Sequence, residues 1–210
     1  MGKRLLLIGG GGHCRSVLDS VMALNLYEAV GIVDNNSDSS CLGIPVIGND
    51  EDIPALIKAG WNCAVITVGS VGDTKTRRRL YEMVKGFGLY TPTVVDPTAT
   101  IAGGTTIDEG CFIGKRAIVN TGSVIGRCSI INTGAIVEHD CTVGEFTHIS
   151  TGAVLCGEVR VGRNTHLGAG SVVKQRVTIG DSVLIGVGSV VVKDILEQGT
   201  AYGNPCRVVK

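Results

Sequence analysis

The chain has 210 residues with 19 basic and 19 acidic side chains, so its formal net charge is zero. This balance gives no electrostatic reason to expect a nucleic acid or an anionic membrane as partner. The apolar run Leu5–Ile8 is far shorter than the roughly 18–20 residues of a membrane helix, and too short for a signal-peptide core, so we expect a cytoplasmic protein.

The first segment has the pattern of a nucleotide-binding βαβ unit. Residues 3–8 predict a buried strand, and Gly9–Gly12 with His13 follow it. A helix is predicted from Cys14 to about residue 24, and a second strand over 29–33 that ends at Asp34. A glycine turn before a helix and an acid after the next strand are typical of sites that hold a phosphate at a helix N-terminus.

A further strand over 63–68, ending at Gly69, and a helix over 74–85 complete an α/β domain that we assign to residues 1–94. A domain of this size favours a mononucleotide-linked ligand over a dinucleotide. Two simpler interpretations stay open: the glycine turn could bind no ligand, and Asp34 could be a solvated turn residue. The run Arg77-Arg78-Arg79 is interpreted as a solvated helix face.

A six-residue repeat governs the second half of the chain. Every sixth residue from position 101 to position 191 is a branched aliphatic side chain: Ile101, Ile107, Ile113, Val119, Ile125, Ile131, Val137, Val143, Ile149, Leu155, Val161, Leu167, Val173, Ile179, Ile185 and Val191. This period is not the 3.6 of a helix. It fits short strands wound around a triangular prism, with the aliphatic residue inward and three hexads per coil. The pattern resembles the left-handed parallel β-helix of the hexapeptide-repeat acyltransferases, which we assign to residues 95–210.

The histidines are the candidate catalytic groups of the repeat region. We expect His139 near the middle of one face and His148 at the opposite corner, so that only a second chain could bring the two together. The geometry therefore predicts a homotrimer with sites between subunits. His166 follows His148 by one coil and should stack on it at about 4.8 Å, as a ladder residue without a catalytic part.

Two acids flank His139 in Glu138-His139-Asp140, and a neighbouring carboxylate suits an imidazole to general-base work. A zinc site is not expected, because the histidine steps of nine and eighteen residues differ from those of the carbonic anhydrase-like relatives of the fold. The eight cysteines form no Cys-x-x-Cys pair, and most are interpreted as small buried side chains.

Longer motifs narrow the resemblance. Residues 132–140 (NTGAIVEHD) and 144–150 (GEFTHIS) resemble the signature of the bacterial sugar acetyltransferases of the bacillosamine and sialic-acid pathways. The start IGGGGH at residues 8–13 and the ending GNPCRV at residues 203–208 are similar to the same family, so the resemblance covers almost the whole chain.

The resemblance implies the substrates and the residues that contact them. In this family the histidine at position 139 is the base, Asp140 supports it, and His148 contacts acetyl-CoA near its thioester. The small-residue column of Ala169 and Val187 would line the pantetheine arm. A UDP-sugar would be held by residues of the first domain, namely Gly11, Gly12, His13, Asp34, Asn35 and Gly69.

These observations predict an acetyl-CoA-dependent N-acetyltransferase that acts on a UDP-linked 4-amino sugar, with no metal. No serine or cysteine has the setting of an activated nucleophile, so we expect direct attack in a ternary complex. O-acetylation of a sialic-acid-like sugar is an alternative activity. A trimer that only binds a nucleotide-sugar is an alternative from a different class.

Overall fold

The computed structural model describes residues 2–36 and 40–209, which form two compact units. The first unit comprises the described residues of 1–69 and 75–94. The second comprises residues 70–74 and the described residues from 95 onward. The segment of residues 70–74 thus packs with the second unit, although the chain on either side of it belongs to the first.

The first unit is built on a five-stranded sheet. Its strands are β1 (Arg4–Ile8), β2 (Ala29–Val33), β3 (Ser40–Cys41), β4 (Ile44–Gly48) and β5 (Cys63–Ile66), and its helices are α1 (Gly12–Leu24), α2 (Ile53–Lys58) and α3 (Lys75–Gly86). The strand order is β3-β4-β2-β1-β5, and β1 is parallel to both of its neighbours. Residues 5–8 of β1 are at most 1% exposed, as expected of a central parallel strand covered on both faces.

The predicted βαβ unit is confirmed by β1, α1 and β2, because Asp34 directly follows β2 as expected. The backbone turns after β1 at Gly9, whose φ of 106° favours glycine. The short hairpin of β3 and β4 and the helix α2 were not predicted. A 3₁₀ turn at Asp50–Asp52 leads into α2, and Asn49 caps it by accepting a hydrogen bond from the amide of Glu51 at 2.8 Å.

The interpretation of the arginine run as a solvated face is wrong for one of its members. Arg77 is only 3% exposed, whereas Arg78 and Arg79 are exposed. The buried face of α3 consists of Arg77, Leu80, Tyr81 and Val84, at the three- and four-residue spacing of one helix side.

The second unit is a parallel β-helix with three faces. Face A contains β7 (Thr100–Ile101), β10 (Ile118–Val119), β13 (Ile136–Val137), β16 (Val154–Leu155), β19 (Val172–Val173) and β22 (Val190–Val191). Face B contains β8 (Thr106–Ile107), β11 (Val124–Ile125), β14 (Thr142–Val143), β17 (Arg160–Val161) and β20 (Thr178–Ile179). Face C contains β6 (Val94–Val95), β9 (Phe112–Ile113), β12 (Ile130–Ile131), β15 (His148–Ile149), β18 (His166–Leu167), β21 (Val183–Ile185), β23 (Gly199–Gly203) and β24 (Cys206–Val208).

From β7 to β22 the strands pair in parallel with an offset of eighteen residues, as in the register of Ile118 with Ile136 on face A. Face C ends differently, because β23 follows β21 by sixteen residues and β24 is antiparallel to β23. The predicted inward aliphatic column is confirmed, because its fourteen members from Ile113 to Val191 are at most 3% exposed. The prediction of a left-handed parallel β-helix after an α/β domain is therefore confirmed.

The corners of the prism share one backbone conformation. Every sixth residue from Gly104 to Gly188 has a positive φ, which gives fifteen such positions in succession. Seven are glycine, which adopts this conformation without steric cost. The other eight carry side chains, and Asp140 with a φ of 58° is one of them. Aspartate is among the residues that tolerate it best.

Candidate active site

The imidazole of His139 lies at a corner of the prism, not near the middle of a face as predicted. It follows β13 and precedes β14, so it occupies the turn between faces A and B. The prediction assumed that each face begins at its aliphatic residue. The strands in fact end at that residue, since β13 is Ile136–Val137, and the next two or three positions form the turn.

His139 and Asp140 form a hydrogen-bonded pair. Asp140 Oδ2 lies 2.9 Å from His139 Nδ1, and the two side chains are 50% and 62% exposed in the single chain. The hydrogen bond to Asp140 raises the pKa of His139, and the charges of Asp140, Glu138 and Glu158 act in the same direction. When Nδ1–H donates to the carboxylate, the lone pair of Nε2 is left to accept a proton.

Neighbouring coils hold the backbone of this pair on both sides. The amide of Glu158 donates to the carbonyl of His139 at 2.9 Å from the coil above. The amide of Asp140 donates to the carbonyl of Thr121 at 3.0 Å in the coil below. The side chain of Glu138 is also fixed, because its Oε2 accepts a hydrogen bond from Asn120 Nδ2 at 3.0 Å. The pair is thus attached to a rigid ladder rather than to a flexible loop.

A polar cavity of about 350 Å³ opens beside the pair, lined by Asp140, Glu158, Arg160, Arg176 and Thr178. Arg176 Nη2 lies 2.9 Å from Glu158 Oε1, and this contact lowers the pKa of Glu158. Sequence reasoning missed Glu158 and Arg176. The eighteen-residue register could have found them, since positions 140, 158 and 176 succeed one another along one corner.

His148 and His166 stack on face C as predicted, although His148 lies within strand β15 and not at a corner. Their ring centroids are 4.9 Å apart with the rings nearly perpendicular. His148 Nδ1 lies 3.1 Å from the carbonyl oxygen of Ser70, and Nε2 lies 3.1 Å from Asn132 Nδ2. His166 Nε2 contacts Ser150 Oγ at 3.2 Å, and burial lowers the pKa of His166.

The contact with Ser70 fixes the tautomer of His148, because a carbonyl oxygen can only accept a hydrogen bond. Nδ1 therefore carries the proton, and Nε2 accepts from the amide of Asn132. Both ring nitrogens are thus engaged within the second unit. Thr74 adds a second anchor for residues 70–74, since its Oγ1 donates to Asn164 Oδ1 at 2.8 Å.

Within one chain, His139 and His148 lie apart, as the sequence led us to expect. In a triangular cross-section the corner between faces A and B is opposite face C. His139 thus lies at a corner and His148 on a face, the reverse of the prediction, but the two remain opposite each other. Among residues 2–36 and 40–209, no group of three or more histidine, cysteine, aspartate or glutamate side chains is arranged to hold a metal ion.

Ala169 and Val187 lie at the corner between faces C and A, one coil apart. Val187 is 77% exposed. A side chain at Gly168 would meet the backbone of Val187 and Gly186 at 2.5–2.8 Å, so this corner requires glycines for its coils to stack. The contact of this column with acetyl-CoA stays a prediction.

In the first unit, the predicted nucleotide-sugar residues lie at the ends of β1, β2 and β5. Asp34 Oδ2 accepts a hydrogen bond from the amide of Gly10 at 2.6 Å, which ties the glycine turn to the end of β2. A side chain at Gly11 or Gly12 would meet no atom within 4 Å, so open space adjoins the start of α1. These positions could accommodate a ligand close to the backbone.

A cavity of about 140 Å³ lies beside this turn, with Asp34, Asn35, Asp50 and Arg79 among its lining residues. Arg79 Nη1 lies 3.5 Å from Asp50 Oδ2 across it. The cavity therefore presents both a positively charged and a negatively charged side chain to a ligand.

His13 packs next to Gly69, where an added Cβ would lie 3.4 Å from the Cβ of His13. Burial lowers the pKa of His13 to about 4, and the charge of Arg77 contributes. His13 is therefore neutral near pH 7.

No helix in the described parts of the chain has the length and apolar character needed to cross a membrane.

Two family models match the chain. Residues 4–84 match the PglD N-terminal domain, and residues 140–175 match the bacterial transferase hexapeptide (six repeats). A search of the curated proteins finds no match.

Solved structures resemble the whole chain. The acetyltransferase domain of PglB from Neisseria gonorrhoeae is 33% identical, with a TM-score of 0.93 over 99% of this chain and 100% of that one. PerB from Caulobacter crescentus, solved with CoA and GDP-perosamine, is also 33% identical, with a TM-score of 0.93 over 100% of this chain and 98% of that one. WeeI from Acinetobacter baumannii is 22% identical over 99% of this chain and 100% of that one, with a TM-score of 0.88, and it shows the fold alone.

Proposed function

Since the chain belongs to the hexapeptide-repeat nucleotide-sugar N-acetyltransferases, we propose that His139 is the general base with which it acetylates a UDP-linked 4-amino sugar. Acetyl-CoA is the co-substrate, as in the complex of the PglB domain with acetyl coenzyme A. The observation that carries the role of His139 is its hydrogen bond to Asp140 at 2.9 Å, which leaves Nε2 directed away from the carboxylate.

The reaction needs one base and no covalent enzyme intermediate. The sugar amine attacks the thioester carbonyl, a new C–N bond forms, and the C–S bond to coenzyme A breaks. The proton lost by the amine goes to Nε2 of His139, and the departing thiolate is protonated in turn. Asp140 keeps Nδ1 protonated and stabilises the imidazolium that forms.

The first unit is proposed to hold the nucleotide-sugar. The backbone at Gly11 and Gly12 adjoins open space, and His13 packs next to Gly69. Asp34 is tied to the glycine turn and lines the neighbouring cavity together with Asn35. We assign these six residues to the ligand. Orphan amides at a helix N-terminus favour phosphate. Because acetyl-CoA is a cytoplasmic metabolite, we place the enzyme in the cytoplasm.

We propose a homotrimer, because the residues assigned to acetyl-CoA and the base lie on different parts of the prism. Ala169 and Val187 are at the corner between faces C and A, His148 is on face C, and His139 is at the corner between faces A and B. Several copies could complete one site together. Sedimentation equilibrium is expected to give three times the chain mass of 21.8 kDa. A monomer with full activity would contradict the assignment.

The activity is tested by thiol release from acetyl-CoA with three acceptors: a UDP-linked 4-amino sugar, a GDP-linked 4-amino sugar and a sialic acid. We expect turnover with the UDP-linked amino sugar and an N-acetylated product by mass spectrometry. Preference for the GDP-linked sugar would overturn the choice of nucleotide. Turnover of the sialic acid alone would replace N-acetylation by O-acetylation, and nucleotide-sugar binding without any thiol release would leave a binding protein.

A further inference from the structure

Two glycines border the catalytic pair from the adjacent coils. Gly157 lies one coil above His139 in the same corner column. A methyl group at position 157 would lie 2.5 Å from Nε2 and 2.6 Å from Cε1 of His139. Such separations are far below van der Waals contact, so the imidazole occupies space that any side chain at 157 would fill.

Gly122 stands in the same relation to Asp140, one coil below it. A methyl group at position 122 would collide with Oδ1 of the Asp140 carboxylate. The imidazole of His139 therefore lies against Gly157 in the coil above, and the carboxylate of Asp140 lies against Gly122 in the coil below.

We propose that Gly157 and Gly122 are positioning residues that, by lacking side chains, hold the His139 imidazole and the Asp140 carboxylate in their hydrogen-bonded arrangement. This inference rests on the proposed role of His139 as base. It concerns residues that touch the pair and act on the reaction only through it.

A methyl group at position 157 would displace the imidazole of His139 rather than the backbone of the coil. The backbone of His139 is held by the amide of Glu158 at 2.9 Å, and the carbonyl of Gly157 is held by the amide of Arg176 at 3.0 Å. These ladder bonds resist movement of the backbone. The imidazole is the end of a side chain that can rotate, and rotation takes Nδ1 away from Asp140.

The chain supplies a matched control for each glycine. Gly103 lies three coils below Gly157 in the same column, and a methyl group there would meet no atom within 4 Å. Gly104 precedes Gly122 in its column with a φ of 76° against 71°, and a methyl group there would make only an ordinary contact at 3.5 Å with Thr121 Oγ1. Neither Gly157 nor Gly103 has a positive φ, and Gly122 and Gly104 have similar positive ones, so each control resembles its partner in backbone conformation but lacks the collision.

The experiment measures kcat, KM and the imidazole titration of four variants. Gly157→Ala is expected to lower kcat roughly 10–100-fold, with KM for the nucleotide-sugar within about twofold, because a small misplacement of a catalytic group has effects of this size. Gly103→Ala is expected to keep kcat within about twofold. Gly122→Ala should lower kcat relative to Gly104→Ala in the same way.

The imidazole titration provides a readout that does not depend on turnover. With only four histidines in the chain, the His139 signal can be assigned by NMR from its loss in His139→Ala. Without its hydrogen bond to Asp140, His139 should titrate at a lower pH in Gly157→Ala and Gly122→Ala than in the parent protein or the controls. Glu138 and Glu158, the other acids near the ring, are unchanged in all four variants.

The outcomes separate the two proposals. If Gly157→Ala and Gly122→Ala leave both the titration and kcat unchanged, the positioning role is wrong. If either variant fails to fold while its control folds, the backbone yields instead of the side chain, and the positioning role is likewise wrong for that glycine. If the titration shifts but His139→Ala keeps full activity, positioning stands and the general-base role of His139 fails.

Discussion

Replacing His139 by alanine is expected to lower kcat roughly 10²–10⁴-fold, the range that general-base catalysis contributes. The variant should still bind the nucleotide-sugar, because the residues assigned to that ligand lie in the first unit. The side chain of His139 is 50% exposed, so its removal leaves no buried cavity and the fold should persist. Thiol release measures the rate, and calorimetric titration measures binding of the nucleotide-sugar.

Arg163→Ala is the matched control for this variant. Arg163 is likewise a corner residue of the β-helix, with a side chain 62% exposed that contacts Asp181 at 2.8 Å, and it lies away from the His139 corner. Its kcat should stay within about twofold of the parent. An exposed ion pair contributes little to the stability of the fold, and Arg163 is remote from the proposed base. Equal rates in His139→Ala and the parent protein would show that another group removes the proton.

The pH profile provides a second reading of the same residue. The imidazole accepts a proton only when neutral, so kcat/KM falls as the pH falls through the His139 pKa. Because Asp140 raises that pKa above the ordinary 6.5, the acid limb should lie above this value. Asp140→Asn removes the charge, so the limb should move to lower pH. An acid limb at the same pH in the parent protein and in Asp140→Asn would show that Asp140 does not raise the pKa of His139.

Ile149→Ala is expected to lower the free energy of unfolding by about 2–5 kcal/mol, the cost of emptying a fully buried aliphatic site. Ile149 is 0% exposed at the centre of face C, on strand β15. Its neighbours above and below in the inward column cannot collapse into the space, because the ladder bonds fix the separation of the coils. Urea unfolding at a fixed protein concentration measures the difference.

Ile118→Ala makes the same chemical change at a strand residue that is 37% exposed. It should cost less than Ile149→Ala, about 1–2 kcal/mol, because more than a third of the surface of Ile118 already contacts water. Equal losses in the two variants would mean that burial in the inward column is not what stabilises the prism.

The β-helix could be predicted from the sequence because the need to bury a branched aliphatic side chain recurs at sixteen evenly spaced positions. A branched aliphatic residue at every sixth position can be buried only by a chain that turns with that period, and the observed burial of Ile113 through Val191 agrees. The same reasoning placed His166 above His148. It misplaced His139, because hydrophobic period alone does not say whether the strand ends or begins at the inward residue.

Other features depend on contacts that no local pattern encodes. The hydrogen bond between His148 and the carbonyl of Ser70 joins residues 78 positions apart, and Ser70 carries no motif. The burial of Arg77, by contrast, could have been predicted from its three- and seven-residue spacing to Leu80 and Val84 on the buried side of α3. The composition obscured this burial, because a run of three arginines is typical of a solvent-exposed helix face.

The eighteen-residue register also limits how such a chain can change in length during evolution. Deleting one residue within the β-helix would turn every later inward side chain toward solvent, and deleting six would carry His148 and all that follows to a different face. Only the gain or loss of a whole coil keeps each downstream residue on its own side of the prism. Homologues of this enzyme should therefore differ in β-helix length by entire turns, with other insertions confined to the corners.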